Sequence, residues 1–90
     1  MLNKPFTITV RKEHFTNAVR ECSARCVIAQ ALIEHLGEAF CDHVAVSGLI
    51  RIGSLHFTHD GIDIMAAFDG GKLDPDAFPD TKITLTPIKP

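Results

Sequence analysis

Apolar and polar residues alternate with two different periods along this chain, and the two periods predict strands and helices. Residues 6–10, FTITV, alternate apolar residues with threonine, which is typical of a strand with one buried face. In residues 27–36 the apolar residues recur at three- and four-residue spacing, which predicts an amphipathic helix. With Ser23 as its N-cap and Gly37 as the residue that ends it, this helix is predicted to cover residues 23–36.

The second half of the chain predicts further strands and a second helix. Residues 44–57 read strand, turn at Ser47-Gly48, strand, with a bulge or bend at Gly53. Residues 60–69 suit either a hairpin with an Asp60-Gly61 turn or a helix capped by Asp60. The Met-Ala-Ala run favours the helix. Residues 81–86, TKITLT, form the last predicted strand, which Pro87 ends.

The predicted order is β-α-β-β-α-β. Four strands and two helices favour an α+β fold in which the helices cover one face of a mainly antiparallel, four-stranded sheet. A ferredoxin-like arrangement is one topology with that order. Ninety residues are enough for one modest core, so a single domain over residues 1–90 is expected.

Composition places the chain among globular domains. The hydrophobic fraction is 46% and the charged fraction 22%, both ordinary values. No apolar run approaches the roughly 18 residues of a membrane span, and the N-terminus does not resemble a secretory signal. Three cysteines in such a chain predict free thiols in a reducing compartment, and we expect a cytoplasmic protein without a membrane partner.

The cysteines allow a metal site as an alternative. Cys22, Cys26, Cys41 and His43 have the number and kind of ligands that zinc prefers. The predicted helix between them is about 20 Å long, and the five residues that follow it reach back at most about 17 Å. Free cysteines, with Cys26 buried at the start of the helix, are therefore the favoured interpretation, and no metal or other cofactor is predicted.

No catalytic group is evident from the sequence. His56, His59 and Asp60 could serve a small enzyme or bind a metal, but a polar sheet edge is the commoner explanation of such a run. No serine lies in a nucleophile turn, and FDGGK lacks the residues of a phosphate-binding loop.

Charge is unevenly distributed along the chain, which has a net charge of −2. Residues 1–33 carry a charge of +3 and residues 34–80 a charge of −7, which suggests a basic face and an acidic face. The basic residues could follow a nucleic-acid backbone. The acidic ones could meet a basic protein surface instead.

Three segments, ITVRKEHF, CSARCVIAQAL and AAFDGGKLDPDAF, occur in an order that resembles a group of small phage and prophage proteins of unknown function. Those proteins carry I-T-V-x-x-E-H, C-x-x-C-P-V-A-x-A-L and F-D-x-G-K, and the likeness covers most of residues 7–78. Here the cysteine spacing is C-x3-C, and Val27 replaces the proline. The resemblance implies a helix over residues 60–69. Phage proteins of this size, including anti-CRISPR proteins, often block a host machine by binding it.

The sequence therefore predicts a non-enzymatic binding protein that inhibits a host protein or nucleoprotein complex, such as a CRISPR-Cas defence complex. A zinc-binding regulatory module using Cys22, Cys26, Cys41 and His43 is the alternative. The partner-binding residues are predicted to be charged side chains from both halves of the chain: Arg11, Lys12, Arg20, Arg25, Asp60, Asp63 and Asp69.

Overall fold

The computed structural model of the protein describes residues 3–88 and shows an α+β fold. Two α-helices are present, α1 (Val27–Leu36) and α2 (Ile62–Asp69), with short 3-10 turns at Lys12–Phe15, Glu38–Phe40 and Pro75–Ala77. The strands are β1 (Phe6–Val10), β2 (Val44–Val46), β3 (Ile50–Ile52), β4 (Leu55–His59) and β5 (Thr81–Pro87).

The strands form one antiparallel sheet in the order β1-β5-β4-β3-β2. The prediction of four strands is wrong by one. Gly53, with φ of +60°, turns the chain back, so that Ile52 pairs with Leu55. Residues 50–57 therefore form a tight hairpin of two strands and not one bulged strand, because glycine adopts the left-handed conformation without steric cost.

The first helix begins later than predicted, at Val27, with Cys26 as its N-cap. The Cys26 sulfur accepts a hydrogen bond from the Ala29 N–H at 3.4 Å. Ser23 does not cap the helix; its carbonyl accepts the Val46 N–H at 2.8 Å, which satisfies the outer edge of β2. Gly37, with φ of +109°, ends the helix as predicted.

The second predicted helix is confirmed over Ile62–Asp69, and the hairpin alternative is excluded. Its N-cap is Gly61, which offers no side chain, so the predicted cap at Asp60 is wrong. The Asp60 carboxylate instead accepts the Thr84 backbone N–H at 2.9 Å. It thereby takes the place of a main-chain acceptor where β4 ends and β5 continues.

The sheet curls around α1. Helix α1 contacts both β1 and β2, the two edge strands. A flat sheet of five strands is about 19 Å wide at 4.8 Å per strand, whereas a helix is about 10 Å across. Both edges can reach one helix only if the sheet is strongly curved, so its inner face is concave and its outer face convex.

The core lies inside this curve. Strand residues such as Ile8, Phe57 and Ile83 pack against Ile28 and Leu32 of α1, and all five are at most 1% exposed. Phe68 of α2 joins the same continuous core. Neither helix in the described part of the chain has the length and apolar character needed to cross a bilayer.

Gly61 provides a test of this packing. A Cβ at Gly61 would lie 2.6 Å from Ile83 Cδ1 and 3.1 Å from Ile28 Cδ1, whereas one at Gly48 would meet nothing within 4 Å. We expect Gly61→Ala to lower the free energy of unfolding by about 1–3 kcal/mol, because the core must shift to admit a methyl group. Urea denaturation measures this difference. Gly48→Ala is the matched control and should stay within about 0.5 kcal/mol of the wild type; equal stabilities for all three proteins would contradict the described packing.

Candidate functional site

The convex face of the sheet is exposed, and its side chains are almost entirely polar. Successive side chains of a strand point to opposite sides of a sheet, so every second strand residue lies on this face. We call this set the open face. Its members are exposed or half-buried and comprise Thr7, Thr9, Ala45, Arg51, His56, Thr58, Lys82, Thr84 and Thr86.

Threonines occupy the middle of the open face, on three neighbouring strands. Thr7 lies opposite Thr84, and their hydroxyl oxygens are 3.3 Å apart. Thr58 lies opposite Thr86, and its hydroxyl donates to the Thr86 carbonyl at 3.4 Å. The strand register therefore arranges these hydroxyls in a continuous patch, with branched side chains that have few rotamers to lose.

Two permanent cations lie at the two ends of this patch. Lys82 on β5 pairs with Thr9, and Arg51 on β3 pairs with His56. The Arg51 guanidinium donates to the Gly53 carbonyl at 3.1 Å, which holds the side chain along its own hairpin. Within residues 3–88, neither cation forms an ion pair. A shallow depression of about 620 Å³ adjoins the Arg51 end and includes Leu49 in its lining.

Carboxylates are excluded from the sheet. All eleven acidic residues of the chain fall within residues 3–88, and none of them lies in a strand. The open face therefore carries two positive charges with His56 neutral, which leaves −4 on the rest of a chain whose net charge is −2. Two carboxylates directly adjoin the strands of the open face: Asp60 follows β4 and accepts a backbone N–H in the plane of the sheet, and the exposed Asp80 precedes β5, two residues from Lys82.

The sequence does not mark Arg51 or Lys82 as contact residues, and it marks His56 only as a possible catalytic group or metal ligand. The alternation in IRI, LHFTH and TKITLT places each of them opposite the buried positions of its strand. That signal gives the face of a single strand. The alternation within a strand does not reveal the order of the strands. The threonines and cations form one surface because β5 lies between β1 and β4.

The predicted basic residue Arg11 is engaged within the protein. Its guanidinium donates to the Glu34 carboxylate and lies 3.8 Å from Glu13. Glu34 also faces His14, whose Nε2 is 3.3 Å from Oε1 without the alignment of a good hydrogen bond. The Arg11 guanidinium, with a smaller contribution from His14, lowers the pKa of the Glu34 carboxyl below its ordinary value of 4.5.

The other predicted basic residues are exposed, and Arg25 lies beside acidic ones. Arg25 lines a depression of about 360 Å³ together with Glu38, Cys41 and Asp42. Lys12 lies on the first 3-10 turn, between Arg11 and Glu13, and Arg20 lies beside the backbone of Gly71. Arg11 and Arg25 therefore lie near carboxylates of residues 34–42, so this part of the surface is mixed in sign.

Two of the three predicted acidic residues bind the backbone. Asp60 holds the Thr84 N–H, and Asp69 accepts the Glu21 N–H at 2.8 Å. Glu21 has a φ of +57°, so the Asp69 bond stabilises a conformation that non-glycine residues adopt rarely. Asp63 is exposed in the first turn of α2.

The structure does not bring the proposed zinc ligands together. Cys26 is 2% exposed at the start of α1, Cys22 is half-buried, and Cys41 is exposed beyond the other end of that helix. In the part of the chain that the structure describes, no three His, Cys, Asp or Glu residues form a group able to hold a metal ion. Burial raises the pKa of the Cys26 thiol, although the N–H groups of Ala29 and Ile28 oppose this effect.

His56 and His59 lie on opposite faces of β4. His56 is on the open face, whereas His59 is 8% exposed in the core. The His59 Nδ1 accepts the Gly61 N–H at 3.2 Å, and its Nε2 is 2.7 Å from the Ser47 carbonyl. His59 therefore ties the end of β4 to the β2–β3 turn, and the two imidazoles do not share a site.

Comparison of the chain with family models, curated proteins and solved structures gave no significant match. The resemblance to small phage proteins therefore stays a prediction.

The Arg11–Glu34 pair predicts a specific pH dependence. The pKa of the Glu34 carboxyl is lower in the folded than in the unfolded chain. The ion pair with Arg11 therefore stabilises the folded protein at any pH above the ordinary pKa of glutamate. This stabilisation is lost as the pH falls through the pKa of Glu34 in the folded protein. We expect the urea midpoints of wild type and Glu34→Gln to converge as pH is lowered from about 6 to about 3. Glu38→Gln, which removes a carboxylate outside the described ion pairs, is the control. A difference in urea midpoint between wild type and Glu34→Gln that stays constant with pH would contradict the ion pair between Arg11 and Glu34.

Thiol reactivity provides a test of the cysteine environments. An aromatic disulfide reagent at neutral pH should modify exposed Cys41 first and half-buried Cys22 more slowly. Modification of Cys26 should be about 100-fold slower than that of Cys41 or slower still, because it requires local opening of the core. Peptide mapping at successive times identifies each site. Early modification of Cys26 in the folded protein would contradict its burial, and Cys41→Ser should remove the fastest phase.

Proposed function

We propose that this protein is a small, non-catalytic binding protein that inhibits a host protein or nucleoprotein complex by occupying one of its surfaces. The open face is the docking surface. The observation that carries the proposal is the separation of charge, because all eleven acidic residues lie outside the strands while Arg51 and Lys82 lie on the open face. An anionic surface is attracted to this face and repelled by the remainder of the molecule.

The open face is suited to binding at low entropic cost. Five of its nine residues are threonines, whose side chains are short and restricted at χ1. Ordering a long, flexible side chain on binding costs about 0.5–1.5 kcal/mol, and only Arg51 and Lys82 incur that cost here. Hydroxyls fixed by the strand register, such as those of Thr7 and Thr84, are already in place before the partner arrives.

Charge also orients the approach. With two positive charges on the open face and a net −4 elsewhere, the molecule has an electrical polarity that directs the open face toward an anionic partner. Such steering raises the association rate and weakens as ionic strength rises.

Three of the seven contact residues predicted from the sequence are already bound within the protein: Arg11, Asp60 and Asp69.

The setting of the proposal comes from the resemblance to small phage proteins. That resemblance supports action in the cytoplasm of a bacterial host, against a defence complex such as a CRISPR-Cas assembly. Inhibition by occupancy requires only that a compact domain covers a surface that the complex needs. Such complexes contain nucleic acid, whose exposed phosphates would supply the anionic surface that the open face requires.

The proposal predicts that partner capture depends on the open face. Tagged protein is used to recover complexes from bacterial lysate at low salt, and each recovered protein is quantified by mass spectrometry. Arg51→Glu combined with Lys82→Glu should lower recovery of the main partner about tenfold or more, because attraction at the open face becomes repulsion.

Lys12→Glu combined with Arg25→Glu is the matched control, because it makes the same change in charge on exposed residues outside the open face. We expect it to lower recovery by less than about twofold, as for charges remote from an interface. Circular dichroism verifies that both variants are folded. Loss of the partner in the control, with full recovery by the open-face variant, would place the docking surface elsewhere.

A further inference from the structure

We infer that the open face binds single-stranded nucleic acid through its phosphate backbone. This inference rests on the proposed function and names the component of the partner that the open face contacts. Three properties of the face support it: the linear arrangement of its donors, its convex shape and its lack of an apolar centre.

Hydrogen-bond donors and cations follow a continuous line across the open face. The line runs along β5 from Lys82 through Thr84 to Thr86, passes Thr58 on β4, whose one O–H already donates to the Thr86 carbonyl, and ends at the Arg51–His56 pair. Its length is about 30 Å, from the rise per strand residue and the spacing between strands. Phosphate groups recur along a nucleic-acid strand, and lysine, arginine and threonine side chains are common donors to their oxygens.

The curvature of the sheet favours a single strand over a duplex. Because the sheet wraps around α1, the open face is convex. A duplex has a persistence length of about 150 base pairs and behaves as a stiff rod on this scale, so it touches a convex surface along a narrow line. A flexible single strand can follow the curve and reach both Lys82 and Arg51.

The composition of the face favours nucleic acid over an acidic protein. Stable protein interfaces have an apolar, largely aromatic centre surrounded by a polar rim. The only aliphatic residue of the open face is the half-buried Ala45, and its only ring is the imidazole of His56. Hydroxyls and cations without an apolar centre suit a backbone of phosphates. The scarcity of rings predicts little stacking on bases, hence little sequence preference.

Fluorescence anisotropy of a labelled oligothymidylate of about 12 nucleotides tests the inference, since small domains cover about 4–16 nucleotides. At low salt we expect saturable binding with a dissociation constant of about 1–100 μM, the range of non-specific contacts. Two cationic contacts predict a slope of about −1.4 for the logarithm of the association constant against the logarithm of salt concentration.

Two pairs of variants separate the contributions of charge and hydroxyl groups. Arg51→Gln with Lys82→Gln should weaken binding about tenfold or more and flatten the salt slope toward zero. Thr84→Val with Thr86→Val keeps the branched shape and should weaken binding about threefold to tenfold with the slope unchanged, because only hydrogen bonds are lost. Lys12→Gln with Arg25→Gln, the charge-matched control, should bind as the wild type does.

The competitors identify the ligand class. A duplex of equal length and poly-glutamate at equal charge should each compete about tenfold less well than the unlabelled single strand. Equal competition by poly-glutamate would overturn the inference in favour of an acidic protein, and equal competition by the duplex would overturn the choice of a single strand. Equal weakening by the Lys12/Arg25 control would show that the open face is not the site.

Failure of the nucleic-acid inference can be distinguished from failure of the proposed function. If the oligonucleotide does not bind at low salt, yet capture of the lysate partner still depends on Arg51 and Lys82, the inference is overturned and the proposed function stands. If neither capture nor oligonucleotide binding depends on these two residues, both are overturned. The same folded variants serve both measurements.

Discussion

Burial of helix α1 inside the curled sheet is the interaction on which the rest of the structure depends. Val27, Ile28 and Leu32 are fully buried against strand residues such as Ile8 and Phe57. Burying one such side chain contributes about 1.5–3 kcal/mol, so this contact dominates the favourable side of folding. Because the helix fills the concave side, the convex side remains exposed, and the alternation of strand residues makes it polar.

Charge placement follows from the same arrangement. Carboxylates lie in loops, helices and turns, where several perform local structural tasks that keep them in place. Asp60 completes the hydrogen bonding of β5, Asp69 holds the unusual backbone of Glu21, and Glu34 pairs with Arg11. The strands, free of acidic residues, present Arg51 and Lys82 instead. The polarity of the molecule is therefore a product of its fold and not of the distribution of charge along the sequence.

The residues that attract attention in the sequence have mostly structural roles. Cys26 begins a helix and lies in the core, and His59 links two turns from within the protein. Their chemistry is used for hydrogen bonding and packing, because burial raises the pKa of the Cys26 thiol and the His59 nitrogens both contact backbone partners. The open face, by contrast, carries hydroxyls and two cations, and the proposed binding of an anionic surface rests on these groups.

The sequence by itself determined the elements whose signals are local. The period of two in FTITV and TKITLT, the helical spacing after Cys26 and the glycine at position 37 each act over a few residues, so strands, helix and helix end were predictable. Cys26, and not Ser23, caps α1, while the Ser23 carbonyl bonds to β2, a partner distant in sequence. The fifth strand was not predictable, because a glycine at position 53 is compatible with a bulge as well as with the tight turn that the structure shows.

Only the tertiary structure decided which polar residues share a surface. Arg51 and Lys82 are 31 positions apart in the chain and lie at the two ends of one face because β5 pairs with both β1 and β4. Conversely, His56 and His59 are neighbours in sequence but lie on opposite sides of one strand. Local periodicity fixes the side of a strand on which a residue lies, whereas strand order, set by packing around α1, fixes what lies beside it.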